Sequence, residues 1–218
     1  TSDSQYNTVV GTNAGDSFNG TTPERNTLVG YDAGTDINNA DNCVFLGYGA
    51  GKNVTNSGSS IAIGYEALSG SQAGEENTAI GYEALTSCTN QGEYNTAVGH
   101  NAGVSVTTGV KNTIIGGLAG DALTTGEGST AVGYAALSTE TSGGKNTAIG
   151  SKSQNSVNNS GNGNNTSVGF ESMSAATTAI GSTAIGSSCM SGVMTGDFNT
   201  AVGYLAGLSI TSGTRNVL

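Results

Sequence analysis

The 218-residue chain is poor in several residue types on which common functions depend. It has no tryptophan, one proline, one histidine, and six lysines and arginines against 16 aspartates and glutamates, a formal net charge of −10. A sequence-independent grip on nucleic-acid phosphates needs a basic surface, so this charge argues against a nucleic-acid partner. A single histidine leaves a zinc site short of ligands and leaves a catalytic triad only His100. We therefore expect no metal, no cofactor and no enzymatic activity.

Cysteine and long apolar runs are also scarce. The three cysteines, Cys43, Cys88 and Cys189, share no CxxC spacing, and we interpret them as small apolar substitutes. No segment approaches the run of about 18 apolar residues that a membrane span requires, so no direct membrane insertion is expected. The hydrophobic content of 35% argues against a thick globular core.

What the chain does have is an internal repeat. A pentad of the type Asn95-Thr96-Ala97-Val98-Gly99 recurs along the whole sequence, and its glycines are 17 to 19 residues apart. A period this short is typical of a solenoid. We predict one all-β array over residues 1–218, a parallel β-solenoid (β-roll) of about twelve coils of 17–19 residues. Its anchor glycines are Gly11, Gly30, Gly47, Gly64, Gly81, Gly99, Gly116, Gly133, Gly150, Gly169, Gly186 and Gly203.

Positions within a coil are counted from the anchor glycine as zero. Position −1 is always a large aliphatic residue and is predicted to face the core, with a second apolar position at +7 on the opposite side of the coil. Seventeen residues suffice for two short strands and two tight corners. The glycine is expected at a corner that needs positive φ or a close backbone approach. Asparagine at −4 in eight coils is expected to bond side chain to side chain from coil to coil.

The residue types at position −2 predict how the chain associates with other chains. Alternation places it on the face opposite −1, yet it is almost always apolar. A strand that is apolar on both faces is normally buried on both, so we predict that a neighbouring chain covers this face in a homotrimer. The predicted interface residues are Val9, Leu28, Phe45, Ala62, Ala79, Ala97, Ile114, Ala131, Ala148, Ala184 and Ala201.

A tyrosine row at +1 is the candidate ligand-binding feature. Exposed aromatic rows can stack on sugar rings, so Tyr31, Tyr48, Tyr65 and Tyr82 could contribute to saccharide binding. Stacking of tyrosine on tyrosine explains the same pattern without a ligand. His100 occupies the same position and is interpreted as a polar aromatic substitute.

Acidic residues at +2 and two irregular segments are weaker candidates. Glu66 and Glu83, one coil apart, could bind calcium or could simply form a solvated acidic edge. Residues 16–25 and 153–164 contain the two 19-residue spacings and are either displayed loops or tolerated insertions. Residues 177–181 repeat the pentad just before its copy at 182–186, which would permit an alternative register.

The pentads at 146–150 and 182–186 resemble the head repeats of YadA-type trimeric autotransporter adhesins. Similar, slightly longer coils occur in bacteriophage tail fibres. The resemblance covers the whole chain. It implies a trimer of parallel β-rolls, extracellular or on a virion, that presents or forms a host-binding surface, with a host-cell glycan or protein as the further partner.

The leading interpretation is a structural and adhesive shaft of a viral tail fibre, with a bacterial adhesin head as the alternative. Threonine at −3 in ten coils also suggests an ice-binding solenoid, although its alternation with the aliphatic −1 position places it on the inner face. A glycan-degrading tailspike is a further alternative. Residues 216–218 begin a thirteenth pentad, so the array is expected to continue.

Overall fold

The computed structural model describes residues 5–18, 23–56, 58–70, 74–89, 91–159 and 161–218. Each coil contributes one three-residue strand, and no helix occurs among the described residues. The strands are β1 (Thr8–Val10), β2 (Thr27–Val29), β3 (Val44–Leu46), β4 (Ile61–Ile63), β5 (Thr78–Ile80), β6 (Thr96–Val98), β7 (Thr113–Ile115), β8 (Thr130–Val132), β9 (Thr147–Ile149), β10 (Thr166–Val168), β11 (Thr183–Ile185) and β12 (Thr200–Val202).

The twelve strands form a single parallel sheet in chain order, which confirms the predicted all-β parallel solenoid. Equivalent positions pair throughout, as Thr78 does with Thr96 and Ile80 with Val98. The 19-residue spacing between Gly150 and Gly169 leaves this register unchanged, because Ile149 still pairs with Val168. Extra residues are therefore accommodated outside the sheet, in the turns.

The anchor glycines have both properties that the sequence predicted. Their φ angles lie between 128° and 146°, a region that side chains with a Cβ rarely adopt. From Gly11 to Gly186, an added Cβ would lie less than 3.0 Å from the backbone of the next anchor. The glycines thus stack directly on one another along the solenoid axis.

The second strand predicted for each coil is absent from the described residues. Turns occupy positions +1 to +6, and their backbone groups bond to the next coil, as Gly103 N does to Ala119 O at 3.0 Å. Residues at +2 and +4 repeatedly take positive φ, for example Glu83 at 52° and Leu85 at 52°. Residues in the left-handed backbone conformation at this spacing interrupt an extended strand. The carbonyl and N–H groups of neighbouring coils nevertheless stay aligned.

The interior of the solenoid is narrow, and it contains position −2 where position −1 was expected. Position −1 was predicted to face the core and −2 to face a partner chain, and this assignment is wrong. Ten of the eleven predicted interface residues are at most 1% exposed within the chain, and Val9 packs partly buried against the same core. The buried ten are Leu28, Phe45, Ala62, Ala79, Ala97, Ile114, Ala131, Ala148, Ala184 and Ala201.

The opposite wall of the interior comes from positions +3, +4 and +7. The predicted apolar +7 position is buried in several coils, including Ile37, Val54 and Leu123. Two departures occur: Val193 is exposed while Met194 takes the interior place, and Glu140 lies buried at +7. Ser71, the other exception noted at this position, lies outside the described residues.

The asparagines at −4 are buried and connect successive coils. Asn95 Oδ1 accepts a hydrogen bond from the Asn112 backbone N–H at 3.0 Å, and Asn95 Nδ2 donates to Gly109 O at 2.8 Å. A side-chain to side-chain bond also joins Asn112 Nδ2 to Asn95 Oδ1 at 3.1 Å. Successive coils are therefore connected through the asparagines, but most of these bonds run from side chain to backbone and not, as predicted, from side chain to side chain.

Candidate binding surfaces

The outward face of the sheet is formed by positions −3 and −1. Leu46 is 44% exposed and Ile115 is 39% exposed, and the threonines at −3 are exposed or half-buried in all ten coils that have one. We call this surface, positions −3 and −1 of the twelve coils, the outward stripe. It contains only threonine, valine, isoleucine and leucine. The aliphatic residues of its −1 row are Val10, Val29, Leu46, Ile63, Ile80, Val98, Ile115, Val132, Ile149, Val168, Ile185 and Val202.

Side-chain size is the signal that could have placed the two faces correctly. Position −2 is alanine in seven of the twelve coils, whereas −1 is never smaller than valine. A coil of this length encloses little volume, and close packing favours the smaller residue inside. Threonine at −3 has the same parity as −1 and needs a partner or water for its hydroxyl, which also favours the outer face.

The predicted tyrosine row exists and is continuous. Tyr31, Tyr48, Tyr65 and Tyr82 stack face to face, with ring centroids 5.0–5.4 Å apart and interplanar angles of 6–8°. His100 continues the stack at 5.1 Å from Tyr82, as expected of an aromatic substitute. Neighbouring rings cover one another's faces, so edges and hydroxyl groups meet the solvent. Saccharide binding by these four tyrosines stays a prediction.

Carboxylates line this row. The Glu66 carboxylate raises the pKa of Tyr65, and a hydrogen bond with Glu83 raises the pKa of Tyr82. Asp32 lies 3.2 Å from Lys52 Nζ, and the pair raises the lysine pKa. Among the described residues, no three acidic, histidine or cysteine side chains converge as metal ligands. The interactions observed for Asp32, Glu66 and Glu83 are with neighbouring lysine and tyrosine side chains.

The cysteines are unsuited to nucleophilic chemistry. All three are buried, and burial raises the pKa of both Cys43 and Cys88 to about 11. The reactive form of cysteine is the thiolate, which these environments disfavour. Burial is consistent with the interpretation of the cysteines as small apolar substitutes.

Glu140 is the one fully buried carboxylate among the described residues. Its Oε1 accepts hydrogen bonds from the Gly143 N–H at 2.8 Å and the Asn159 N–H at 3.2 Å, and its Oε2 accepts from Asn159 at 3.1 Å. Desolvation nevertheless raises the pKa of the carboxyl, against the effect of these bonds. The side chain closes a turn from inside, a structural role that its +7 position alone did not predict.

The second irregular segment contributes side chains to the interior. In residues 153–164, the first two side chains point inward: Ser153 and Gln154 are both fully buried. The first irregular segment, residues 16–25, includes four residues outside the described ranges. Of the two adjacent pentads near residue 180, the second forms β11, and Ala179 of the first is buried.

Comparison with known proteins finds no matching family model, no matching curated protein and no matching solved structure. No helix among the described residues is long and apolar enough to cross a membrane.

Proposed function

We propose that this chain is a structural and adhesive shaft of a homotrimeric fibre, of the bacteriophage tail-fibre kind. The observation that carries the proposal is the outward stripe, an uncharged surface that continues through all twelve coils of a chain with a net charge of −10. Depletion of charge is typical of the centre of protein interfaces. A continuous exposed apolar patch is the kind of surface that associates.

A second copy of the chain is the partner that fits this stripe. Each coil presents one aliphatic residue and, in ten coils, one threonine, with coils spaced by about 4.8 Å as neighbouring strands are. A parallel copy in register has the same repeat, so aliphatic residues meet aliphatic residues on every coil. Chains of unrelated architecture lack this period and would match only a few coils.

The geometry of the array supports the fibre role. Coils stacked in one direction with constant register make a rod whose length grows with the number of repeats. Such a rod suits the display of a host-receptor-binding surface away from a virion, and we propose an extracellular location on the virion surface. The 17-residue coil resembles the tail-fibre version more than the shorter adhesin coil. A role as a spacer needs no catalytic residues, and we propose that the chain is not an enzyme.

Light scattering tests the proposal directly. The purified protein should have about three times the chain mass of 21.4 kDa. The triple variant Ile115→Glu, Ile149→Glu, Ile185→Glu places three charges in the stripe and should reduce the mass to that of one chain, with an unchanged circular dichroism spectrum.

The matched control places the same three charges outside the stripe. Val193, Leu205 and Leu208 are also exposed aliphatic residues, and their change to glutamate should leave the trimer intact. A wild-type protein that remains a single chain at all accessible concentrations would overturn the trimer proposal.

Ice binding is a second candidate, favoured by one observation. The threonines at −3 lie on the outer face, not on the inner face that the sequence suggested, and alternate there with aliphatic residues in a regular array. Thermal hysteresis should be measured on the wild-type protein and on the triple glutamate variant. Hysteresis that the variant loses would support ice binding, and its absence from the wild type would eliminate it.

A further inference from the structure

The aromatic row at +1 changes character beyond His100. From there on, aromatic residues occupy alternate coils, and small residues occupy the coils between them. The aromatic members are His100, Tyr134, Phe170 and Tyr204, and the small members are Gly117, Ser151 and Ser187. We call this part, residues at +1 from coil six to coil twelve, the open row, and the stack from Tyr31 to His100 the closed row.

The backbone beneath the two rows is the same. In the closed row the +1 carbonyl of Tyr65 accepts a hydrogen bond from the N–H of Glu83 at 2.9 Å. In the open row the carbonyls at +1, from His100 to Ser187, accept the equivalent bonds at 2.8–3.2 Å. The coils therefore stack with the same spacing, and only the side chains differ.

One ring is missing from the stack at each small residue. The closed row places one ring in every coil at 5.0–5.4 Å, so two aromatic residues separated by one coil leave the width of one ring between them. At Gly117, an added Cβ would have Tyr134 Cδ2 at 3.8 Å and His100 O at 3.9 Å as its nearest neighbours. A side chain at this glycine would therefore begin in ordinary van der Waals contact with its neighbours, without a clash.

The ring faces in the open row are accessible. Tyr134 is 55% exposed, against 41% for Tyr65 in the middle of the closed row, and no ring of the open row beyond His100 stacks on another described ring. An aromatic face left without a neighbour is a surface on which a second flat ring gains contact. Two such faces bound each slot.

We propose that the slots at Gly117, Ser151 and Ser187 each bind one planar aromatic ring, neutral or cationic, between the aromatic side chains of the adjoining coils. Planarity follows from the width, because the slot has room for one ring of the thickness of a tyrosine ring. The net charge of −10 of the whole chain repels anions at long range, while the side chains beside the slots carry both signs, as the pair Lys152 and Glu171 does. None of the residues of the outward stripe takes part, so the inference does not depend on the trimer.

A planar cationic dye, thioflavin T, serves as the probe, at a salt concentration that screens non-specific attraction. The wild-type protein should bind about three dye molecules per chain with enhanced fluorescence. The filled variant Gly117→Tyr, Ser151→Tyr, Ser187→Tyr should lose this binding. Tyrosine already occupies +1 in six other coils, and Gly117 does not have positive φ, so the fold should accept the change.

A gain of binding provides the converse test. The variant Tyr65→Ser opens a slot between Tyr48 and Tyr82 and should raise the stoichiometry from three to four. The single change Gly117→Tyr should lower it from three to two, which guards against misfolding of the triple variant. A methyl glycoside, whose ring is not flat, should not displace the dye. The proposal is overturned if the wild type does not bind, if the filled variant binds as much as the wild type, or if the glycoside displaces the dye.

Discussion

Coils three to eight and coil nine are built on the same backbone but have different interiors. In coils three to eight, +3 is alanine throughout, from Ala50 to Ala136, and the core is one continuous apolar cluster. In coil nine these interior places hold Ser153 and Gln154, and Ser167 faces them from −2 of coil ten. The apolar core is divided there, with a second cluster beginning at Val157.

The polar interior of coil nine is incompletely satisfied. Gln154 Nε2 donates to Thr147 O at 2.8 Å and to Ser167 Oγ at 3.0 Å, but Gln154 Oε1 has no hydrogen-bond partner in the described part of the chain. Asn146 Nδ2, in the same coil, also lacks one there. The backbone bond from Gly169 N to Ile149 O is nevertheless 2.8 Å, as in the regular coils. Continuity of the solenoid therefore depends more on the backbone ladder and the anchor glycines than on an apolar interior.

The largest expected effect comes from an anchor glycine in a regular coil. Gly81→Ala requires a side chain at φ 140° and places its Cβ against the Gly99 backbone. We expect a loss of at least about 3 kcal/mol in the free energy of unfolding, measured by chemical denaturation. Gly161→Ala in the irregular segment is the control, since no atom lies within 4 Å of its added Cβ. Equal destabilisation by both changes would contradict the role of the anchors.

The asparagine ladder should give the next largest difference. Asn95→Ala removes two buried hydrogen bonds, one accepted from the Asn112 N–H and one donated to Gly109 O. The free energy of unfolding should fall by roughly 2–4 kcal/mol. Asn146 Nδ2 has no hydrogen-bond partner in the described ranges, and a serine at this position keeps a hydrogen-bond acceptor. Asn146→Ser should therefore lower the free energy of unfolding less than Asn95→Ser does. Thermal unfolding of the two serine variants checks the order, and the reverse order would refute it.

Ser153, Gln154 and Ser167, here called the polar layer, can be replaced by the apolar residues found at these positions in other coils. Ser167→Ala alone removes one of the two acceptors of Gln154 Nε2 and should cost about 1 kcal/mol. The triple variant Ser153→Ala, Gln154→Leu, Ser167→Ala restores apolar packing and should be more stable than the wild type by about 1–2 kcal/mol. Leucine at +4 with positive φ occurs at Leu85, so the backbone should accept it. A triple variant less stable than the single one would show that the polar layer is needed.

The smallest effect is expected from Glu140, and it depends on pH. Its carboxyl pKa is raised by burial, so the folded state holds the proton to a higher pH than the unfolded state does. The contribution of Glu140 to the free energy of unfolding is fully present below the carboxyl pKa of the unfolded state, about 4.3. It is lost as the pH rises through the higher carboxyl pKa of the folded state. Glu140→Gln should therefore stabilise the protein at pH 7 and make no difference below pH 4. Denaturation midpoints at both pH values test this, and a difference independent of pH would exclude it.

Much of the fold was predictable from the regular spacing of the anchor glycines. The period predicted the solenoid, the glycine predicted the corner, and the asparagines predicted bonding from coil to coil. The inside and outside of the strand were not predictable from alternation alone, because both −2 and −1 are apolar. The expected second strand also failed, since left-handed residues such as Leu85 form turns in its place.

The sequence by itself determined the repeat, the parallel register and the aromatic row, because each of these depends on equivalent residues recurring at a constant spacing. Only the tertiary structure decided which face of the strand is buried. The narrow interior is filled at position −2 mostly by alanine, with larger residues such as Leu28, Phe45 and Ile114 in a few coils only, and the uniformly large aliphatic residues of position −1 face outward. The tertiary structure also stacked the tyrosines face to face, so the more accessible ring faces lie in the open row, where small residues alternate with aromatic ones.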